Sequence, residues 1–334
     1  MIYNIPIEPL EERYSAQWAR WFPEAFINAG VEYREIRGSS LTTRIETGSV
    51  LDVFGTHHYK FSQLQIIMKM LREKEIKDGD TLLFHDLWFP GIESLEYVRN
   101  MTGISFKIAG ILHAGSWDPD DFVCRNGMRP WARPIEFGWM KIFDHVFLSS
   151  RFHRELIERD FLLPAQTMDA KFHVTGLPFD FKEVKRDPFA KKERLIVFPH
   201  RLDVEKCPEK FDTLAKACAR DGWSFVKTKD VCKTKDEYYD LLNRAALSVS
   251  TAEQETFGYA MLESMANGCY PLVPFSKSYA SMHIYRGHYY DDFDDLVART
   301  VRFMDESDLT YKDFSKSLAC YAPNVVIREM LSYL

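Results

Sequence analysis

Residues 245–274 read AALSVSTAEQETFGYAMLESMANGCYPLVP, and this stretch decides the fold. The apolar run at residues 247–250 predicts a short buried strand. Residues 257–267 place apolar and small side chains at helical spacing before Gly268, a residue typical of helix ends. A second apolar run, residues 269–273, predicts another buried strand. Two strands joined by a short helix form a βαβ unit, so the stretch predicts a parallel sheet.

Two carboxylates mark this unit, Glu255 ahead of the predicted helix and Glu263 within it. If both were helical, their spacing would separate them by roughly 12 Å, on the order of the distance from a sugar ring across a diphosphate to a ribose. The helix start between them offers backbone N–H groups and the positive end of the helix dipole, which favour a phosphate. The stretch therefore fits a nucleotide sugar held end to end. The alternative is two surface glutamates beside a core helix.

The same stretch carries a resemblance to a known family. The matching positions, all in one register, are Glu255, Phe257, Gly258, Glu263, Met265, Ala266, Gly268, Cys269 and Pro271. In this pattern the stretch resembles the E-x7-E region of retaining glycosyltransferases of the GT-B fold, family 4 in particular. The resemblance implies an α/β protein of two Rossmann-like domains facing across a cleft. It also implies sugar transfer with retention of the anomeric configuration and without a metal.

Composition sets the broad class. A chain of 334 residues has room for two domains, and 46% hydrophobic residues are typical of a globular protein. The start of the chain lacks the basic and apolar segments of a signal peptide, and no apolar run is long enough to span a membrane. The six cysteines are scattered without a C-x-x-C pair, which predicts reduced thiols in a cytoplasmic protein rather than a disulfide or zinc framework.

Strand-like and helix-like patterns alternate along the chain, as in doubly wound α/β domains. The strand-like runs lie at residues 32–36, 81–84, 106–112, 146–149, 171–175, 195–198, 223–227, 247–250 and 270–273. The helix-like runs include residues 16–29, 61–75, 150–159 and 325–334. We expect an acceptor-binding domain over residues 1–180 and a nucleotide-sugar-binding domain over residues 181–315, joined by a charged linker at residues 182–194. In the resembled fold, a terminal segment equivalent to residues 316–334 crosses back to the first domain.

A second motif lies at residues 200–206, HRLDVEK, directly after a predicted strand. It resembles the G-R-L-x-x-x-K segment of the family, in which Arg and Lys hold the donor diphosphate. Arg201 and Lys206 match, and His200 takes the place of the usual glycine. Cations at the carboxyl end of a strand lie where open α/β sheets bind ligands. The alternative is a surface ion pair between Arg201 and neighbouring acids.

The resemblance therefore implies a donor site with defined roles. Glu263 would hold the ribose hydroxyls, Glu255 the sugar hydroxyls, and Arg201 with Lys206 the diphosphate. The full predicted donor-binding set is Arg201, Lys206, Glu255, Phe257, Gly258 and Glu263. We expect a UDP-sugar as the donor and no tightly bound cofactor. Residues 14–18 and 275–279 lack the glycines that family members carry at these places.

On the acceptor side, His113 ends a predicted strand, and the family often has a histidine there that lines the sugar site. Asp118 follows soon after and is a candidate to orient an acceptor hydroxyl; His85 and Asp86 end another strand and are further candidates. The predicted catalytic set is His113, Glu255 and Asp118. The run Asp118-Pro119-Asp120 matches a metal-binding D-x-D motif only weakly, so we predict no metal site.

Arginine and tryptophan alternate in residues 124–139, CRNGMRPWARPIEFGW, which we interpret as a loop. Arg125, Arg129, Trp131 and Arg133 suit stacking on bases and binding of phosphates. The alternative is a packed loop. Short segments, including residues 3–6 and 268–274, resemble more loosely the bacteriophage enzymes that glycosylate hydroxymethylated pyrimidines in DNA. Such an origin would place the protein in the cytoplasm of the host.

The best prediction for the acceptor is therefore a hydroxymethylated pyrimidine in DNA, although the net charge of −6 argues against general nucleic-acid binding. The alternatives are a glycan, lipid or small-molecule acceptor, or a non-catalytic protein that binds nucleotide sugars. A dinucleotide-dependent oxidoreductase would need a G-x-G-x-x-G segment between strand and helix, and the sequence has none.

Overall fold

The computed structural model describes residues 1–10, 13–41, 52–113, 115–184 and 187–334. The chain forms two compact units. Unit 1 comprises Met1–Pro178 together with Pro323–Leu334, and unit 2 comprises Phe179–Ala322. The predicted linker at residues 182–194 includes residues 185–186, which lie outside the described residues. Within the described ranges, no helix is both long and apolar enough to cross a membrane.

Unit 1 is built on a parallel sheet. Its strands are β1 (Ile2–Ile5), β2 (Tyr33–Glu35), β3 (Thr81–Phe84), β4 (Lys107–Leu112), β5 (His145–Leu148) and β6 (Phe172–Val174). In the described part of the unit they follow the order β2-β1-β3-β4-β5-β6, and each neighbouring pair is parallel. Because parallel strands end at the same edge, the residues that follow β3 and β4 are brought together there.

Helices cover the sheet of unit 1. They are α1 (Tyr14–Asn28), α2 (Val53–Arg72), α3 (Glu93–Thr102), α4 (Phe122–Arg125), α5 (Arg129–Ile142), α6 (Arg151–Phe161) and α7 (Ala165–Lys171). Helix α1 buries Trp18, Trp21, Phe22 and Phe26, whose spacing places them on one helical face. This aromatic face explains why α1 forms beside the first strands although Pro23 lies inside it.

Unit 2 contains a second parallel sheet. Its strands are β7 (Glu193–Phe198), β8 (Ser224–Lys227), β9 (Ala245–Val249), β10 (Tyr270–Pro274) and β11 (Tyr289–Tyr290), in the order β11-β10-β9-β7-β8. The helices are α8 (Pro208–Ala217), α9 (Thr228–Val231), α10 (Lys235–Arg244), α11 (Tyr259–Ala266), α12 (Phe293–Glu306) and α13 (Ser315–Leu318). Strands β7 and β9 are direct neighbours, so the segments that follow them meet at one edge of the sheet.

The last helix, α14 (Pro323–Leu331), returns to unit 1 and packs against α1. It buries Val326, Ile327 and Met330, which recur at helical spacing along one face. Unit 1 is therefore discontinuous in sequence, whereas unit 2 is continuous.

Every predicted strand overlaps an observed strand, and the parallel α/β class is confirmed. Strands β1 and β11 were not predicted. One interpretation was wrong: residues 124–139 are not a loop but mainly the helices α4 and α5. Pro130 lies in the first turn of α5, where the missing backbone N–H costs no hydrogen bond, and the helix continues through Pro134. Helix α11 also begins at Tyr259, two residues later than predicted, because Gly258 adopts a left-handed conformation.

Candidate functional site

Glu255 lies in the turn between β9 and α11, at the carboxyl edge of the unit 2 sheet. This turn is held against the segment that follows β7, because the backbone N–H groups of Glu253 and Gln254 both donate to the backbone carbonyl oxygen of Glu205. Lys206 extends from that segment and places its Nζ atom 3.2 Å from Glu255 Oε2 and 2.6 Å from the backbone oxygen of Gln254. The two motifs that the sequence singled out therefore meet.

The other oxygen of Glu255 binds the backbone of its own turn. Its Oε1 atom accepts the N–H groups of Thr256 at 3.1 Å and Phe257 at 3.4 Å. Only 14% of the Glu255 side chain is exposed. Burial alone would raise the pKa of Glu255. The Lys206 ammonium, the His200 ring, which is protonated at the low pH where Glu255 titrates, and the backbone N–H of Phe257 outweigh burial and lower this pKa to about 2. The carboxylate is therefore ionised at any pH near neutral.

Two residues after β10 complete the surroundings of Glu255. Ser278 Oγ donates to the backbone oxygen of Glu255 at 2.6 Å, and Tyr279 Oη lies 3.3 Å from Glu255 Oε2. The same Tyr279 hydroxyl lies 2.8 Å from Ser250 Oγ and 3.5 Å from His200 Nε2. Sequence reasoning missed Ser278 and Tyr279. The missing glycine in residues 275–279 marked this segment as unusual, but it does not show what fills the place of the glycine.

Gly258 is required by this packing. Its φ of +94° favours glycine, and a Cβ atom here would lie 3.1 Å from Cε1 of Tyr279. Phe257, which was predicted to bind the donor, has its side chain turned away from Glu255. Its ring is buried against the rings of Tyr259 and Tyr321, at centroid distances of 5.0 and 5.2 Å, so only its backbone faces Glu255.

The cations of the second motif differ in burial. Lys206 is buried, whereas the side chain of Arg201 is half-exposed. Arg201 pairs with Asp203 at 2.8 Å and with Glu205 at 3.6 Å, the ion pairs that the sequence offered as the alternative. His200 is buried, and burial lowers its pKa to about 3, so its ring is neutral. The contact of Arg201 with a diphosphate remains a prediction.

Glu263 lies in α11 and binds three donors from α10. Lys235 Nζ lies 2.7 Å from Oε1, Tyr239 Oη donates to Oε1 at 2.9 Å, and Tyr238 Oη donates to Oε2 at 3.1 Å. Burial and the nearby Glu263 charge raise the pKa of Tyr238 well above its ordinary value, so its hydroxyl keeps its proton. Glu255 and Glu263 each accept hydrogen bonds from a lysine and from tyrosine hydroxyls, but they share none of these partners.

In unit 1, His113 directly follows β4. Its Nε2 atom lies 2.7 Å from the backbone oxygen of His85, and a carbonyl oxygen can only accept, so Nε2 carries the proton. Its Nδ1 atom lies 3.3 Å from Tyr14 Oη. Burial lowers the pKa of His113, which keeps the ring neutral with Nδ1 as an acceptor. His85 binds the Oδ1 atom of Asn4 at 2.6 Å and is itself buried.

The acids of unit 1 are engaged in local contacts. Asp118 is buried, and its Oδ1 atom accepts the backbone N–H of Asp120 at 3.0 Å. Asp86 pairs with the buried Lys60 at 2.7 Å. Burial raises the pKa of Asp121, which precedes α4, to about 7. Among the described residues, no group of three or more His, Cys, Asp or Glu side chains is arranged to hold a metal ion.

Arg129 and Arg133 lie one turn apart on α5, and both pair with Asp160 of α6. They line an open cavity of about 460 Å³ together with Pro130 and Pro134. Trp131 is 49% exposed, and its ring meets the edge of Trp88 at a centroid distance of 6.5 Å. Arg125 ends α4. A half-exposed tryptophan and paired arginines are thus displayed on a helix.

No family model matches the chain. Several solved structures, however, are similar to the chain. Sucrose-phosphate synthase from Thermosynechococcus elongatus has a TM-score of 0.71 at 13% identity, covering 99% of this chain and 97% of that one. The lipopolysaccharide outer core galactosyltransferase WaaB, in its apo form, has a TM-score of 0.61 at 13% identity, covering 100% and 99%.

A TarM mutant from S. aureus, in complex with fondaparinux, alpha-GlcNAc-glycerol and UDP, has a TM-score of 0.56 at 15% identity. It matches 81% of this chain, which spans 59% of the length of that protein. Together these likenesses confirm the predicted fold class, an α/β protein of the GT-B type with two Rossmann-like units.

Proposed function

We propose that the chain is a glycosyltransferase that moves a sugar from a nucleoside-diphosphate sugar to an acceptor hydroxyl. The observation that carries this proposal is the ionised carboxylate of Glu255, held beside the buried ammonium of Lys206 at the carboxyl edge of the unit 2 sheet. Ligands of open α/β sheets bind at that edge. An anion and a cation side by side suit a donor that carries both hydroxyl groups and phosphates.

In this proposal unit 2 binds the donor. Glu255 accepts a hydrogen bond from a sugar hydroxyl, which would take the place of its longest contact, the Phe257 N–H at 3.4 Å. Lys206 and Arg201 neutralise the diphosphate, and Glu263 accepts from the ribose. Cations near the leaving diphosphate would stabilise the charge that grows on it as the glycosidic bond breaks. A UDP-sugar is the proposed donor, because a protein of the same fold is described in complex with UDP.

Transfer with retention of configuration and without a metal is part of the proposal. The leaving phosphate would then help to deprotonate the acceptor hydroxyl. In unit 1, the neutral His113 supports an acceptor role, since its Nδ1 atom accepts a hydrogen bond and faces the Tyr14 hydroxyl at 3.3 Å. An acceptor hydroxyl could replace that partner. Asp118 remains a candidate to orient the acceptor.

A hydroxymethylated pyrimidine in DNA is the narrower acceptor hypothesis. It is supported by the half-exposed Trp131 and the arginines Arg129 and Arg133 on the same helix, and by Arg125 at the end of α4. Moving a base out of the duplex costs a few kcal/mol, and stacking on an aromatic ring returns roughly 1–3 kcal/mol.

A saccharide or another small hydroxyl compound is the second candidate acceptor. It is favoured by the pairing of Arg129 and Arg133 with Asp160, because a shared carboxylate weakens the attraction of both arginines for DNA phosphates. Two proteins of the same fold are named for sugar acceptors or saccharide products, sucrose-phosphate synthase and a lipopolysaccharide core galactosyltransferase.

The experiment incubates the protein with radiolabelled UDP-sugars and, in parallel, hydroxymethylated DNA, unmodified DNA and a panel of saccharides. Acid-insoluble label on hydroxymethylated DNA alone supports the DNA hypothesis, and label on a saccharide supports the second candidate. UDP binding with neither transfer nor hydrolysis indicates a non-catalytic binding protein. Each reaction is repeated with EDTA, and loss of activity that manganese restores would contradict metal-free transfer.

A further inference from the structure

The carboxylate of Glu263 is nearly saturated with donors. An ionised carboxylate has about four positions that accept hydrogen bonds. Lys235 and Tyr239 occupy Oε1, and Tyr238 occupies Oε2. The two adjacent hydroxyls of a ribose would donate two further bonds, one more than the positions that remain. A ribose therefore cannot bind Glu263 through both hydroxyls while all three protein donors stay in place.

Of these donors, Lys235 is the one that can leave at least cost. Its side chain is 46% exposed, whereas Tyr239 is buried and Tyr238 is only partly exposed. Lys235 is also the first residue of α10, where a positive charge meets the positive end of the helix dipole. Water can solvate its ammonium once it turns away, so the departure leaves no buried charge without a partner.

The backbone around Lys235 does not need to move. Thr234 and Glu237 form a capping box that fixes the start of α10. The departure of Lys235 is thus a rotation of one flexible side chain, while Tyr238 and Tyr239 keep Glu263 oriented. The Lys235 ammonium also lies over the ring of Tyr239, 5.2 Å from its centroid, so it leaves two favourable contacts.

We propose that Lys235 is a gate on the ribose subsite: it occupies Glu263 in the empty protein and must be displaced by the nucleotide. The proposal rests on the proposed function, in which Glu263 receives the ribose. As a consequence, the protein binds nucleotides less tightly than it would without the Lys235 ammonium, because binding has to break the Lys235–Glu263 ion pair.

The test compares two ligands, UDP and 2′,3′-dideoxy-UDP, by calorimetric titration of the full-length protein and its Lys235→Met variant. The variant should bind UDP roughly five-fold more tightly, the upper range for a partly exposed ion pair. It should bind the dideoxy analogue as the wild type does, because that analogue has no hydroxyls to compete for Glu263. Lys233→Met removes an equally charged, exposed side chain two residues away and should change neither affinity.

The other possible results distinguish failure of the Lys235 gate from failure of the proposed function. Unchanged or weaker UDP binding by Lys235→Met, or an equal gain for the dideoxy analogue, would overturn the gate while leaving the proposed function intact. Failure of the wild type and of every folded variant to bind UDP, ADP or GDP would overturn both. Thermal unfolding of each variant confirms that it is folded.

Discussion

Glu255 and Glu263 belong to one short motif, yet the structure surrounds them differently. Glu255 binds the buried Lys206 and two backbone N–H groups of its own turn. Glu263 binds two tyrosines and the half-exposed Lys235. The first carboxylate is thus fixed by groups that cannot turn toward solvent, whereas the second has a partner that can. The motif alone does not distinguish a fixed charge from an exchangeable one.

The sharpest test of this difference is Glu255→Gln, which should lower kcat for sugar transfer on the order of 10²–10³-fold, the range for loss of one preorganised electrostatic group. The amide keeps the size of the side chain but leaves the Lys206 ammonium without its anion. Initial rates with a labelled UDP-sugar measure the effect. Glu253→Gln is the matched control, because it neutralises a side chain that is 53% exposed. A wild-type kcat in folded Glu255→Gln protein would exclude Glu255 from the reaction.

Arg201 tests whether the diphosphate binds near Glu255, beside the segment that follows β7. Arg201→Ala should weaken UDP binding by roughly 1.5–3 kcal/mol, the range for a lost hydrogen bond to a charged group. Calorimetric titration measures it. Arg220→Ala is the control, since Arg220 is an exposed arginine paired with Asp305. Unchanged affinity would leave Arg201 with only its ion pairs to Asp203 and Glu205.

The pH dependence of stability follows from the lowered pKa of Glu255, about 2 against an ordinary 4.5. The ionised group stabilises the fold fully above the ordinary value, and this stabilisation is lost as the pH falls through about 2. Between pH values of about 6 and 3, the group should lose about 2 kcal/mol of unfolding free energy. Urea unfolding of the wild type and Glu255→Gln at both pH values isolates this contribution. Equal losses in the two proteins would contradict it.

Glu263→Gln should have a smaller and different effect, weakening UDP binding by about 1.5 kcal/mol with little change in kcat. The loss is limited because Lys235 already competes for the carboxylate in the wild type. Titration and steady-state kinetics on one preparation separate affinity from turnover. A loss of kcat as large as that of Glu255→Gln would mean that both carboxylates act alike.

The smallest effect is expected for Tyr279→Phe, about 1 kcal/mol in transition-state stabilisation, the worth of one hydrogen bond. The ring remains packed over Gly258, but Glu255 loses the hydroxyl at 3.3 Å. The measurement is kcat/KM, with the 79% exposed Tyr285 changed to Phe as the control. A Tyr279→Phe enzyme with wild-type kcat/KM would show that the backbone and Lys206 alone fix Glu255.

Local patterns were enough to predict most of the fold. Strand β3 was predicted at its exact bounds, because its sequence TLLF is a β-branched residue followed by three apolar ones. Strand β1 was missed, since Asn4 interrupts its apolar run and the aromatic helix pattern follows soon after. Helix α5 was mistaken for a loop because Pro130 and Pro134 are strong loop signals, although the first lies where a helix tolerates proline.

The candidate site was harder to predict, because its contacts join distant parts of the chain. The pairing of Lys206 with Glu255 spans 49 positions, and the resemblance rather than any local pattern brought the two together. Nothing in the pattern around Lys235 indicates that its ammonium reaches Glu263, 28 positions away. The pairing of Arg129 and Arg133 with Asp160 is equally long-range, and it changes what two exposed arginines can bind.

The return of α14 to unit 1 has a consequence for the order in which the protein folds. During synthesis, unit 2 is complete once Ala322 has emerged, but α1 then still lacks the helix that packs against it. The packing of unit 1 is complete only once a segment made about 300 positions after α1 has docked, and contacts between such distant positions are entropically costly to form. The sequence of unit 2 is therefore complete before that of unit 1, and until then the surface of α1 that α14 covers is exposed in the nascent chain.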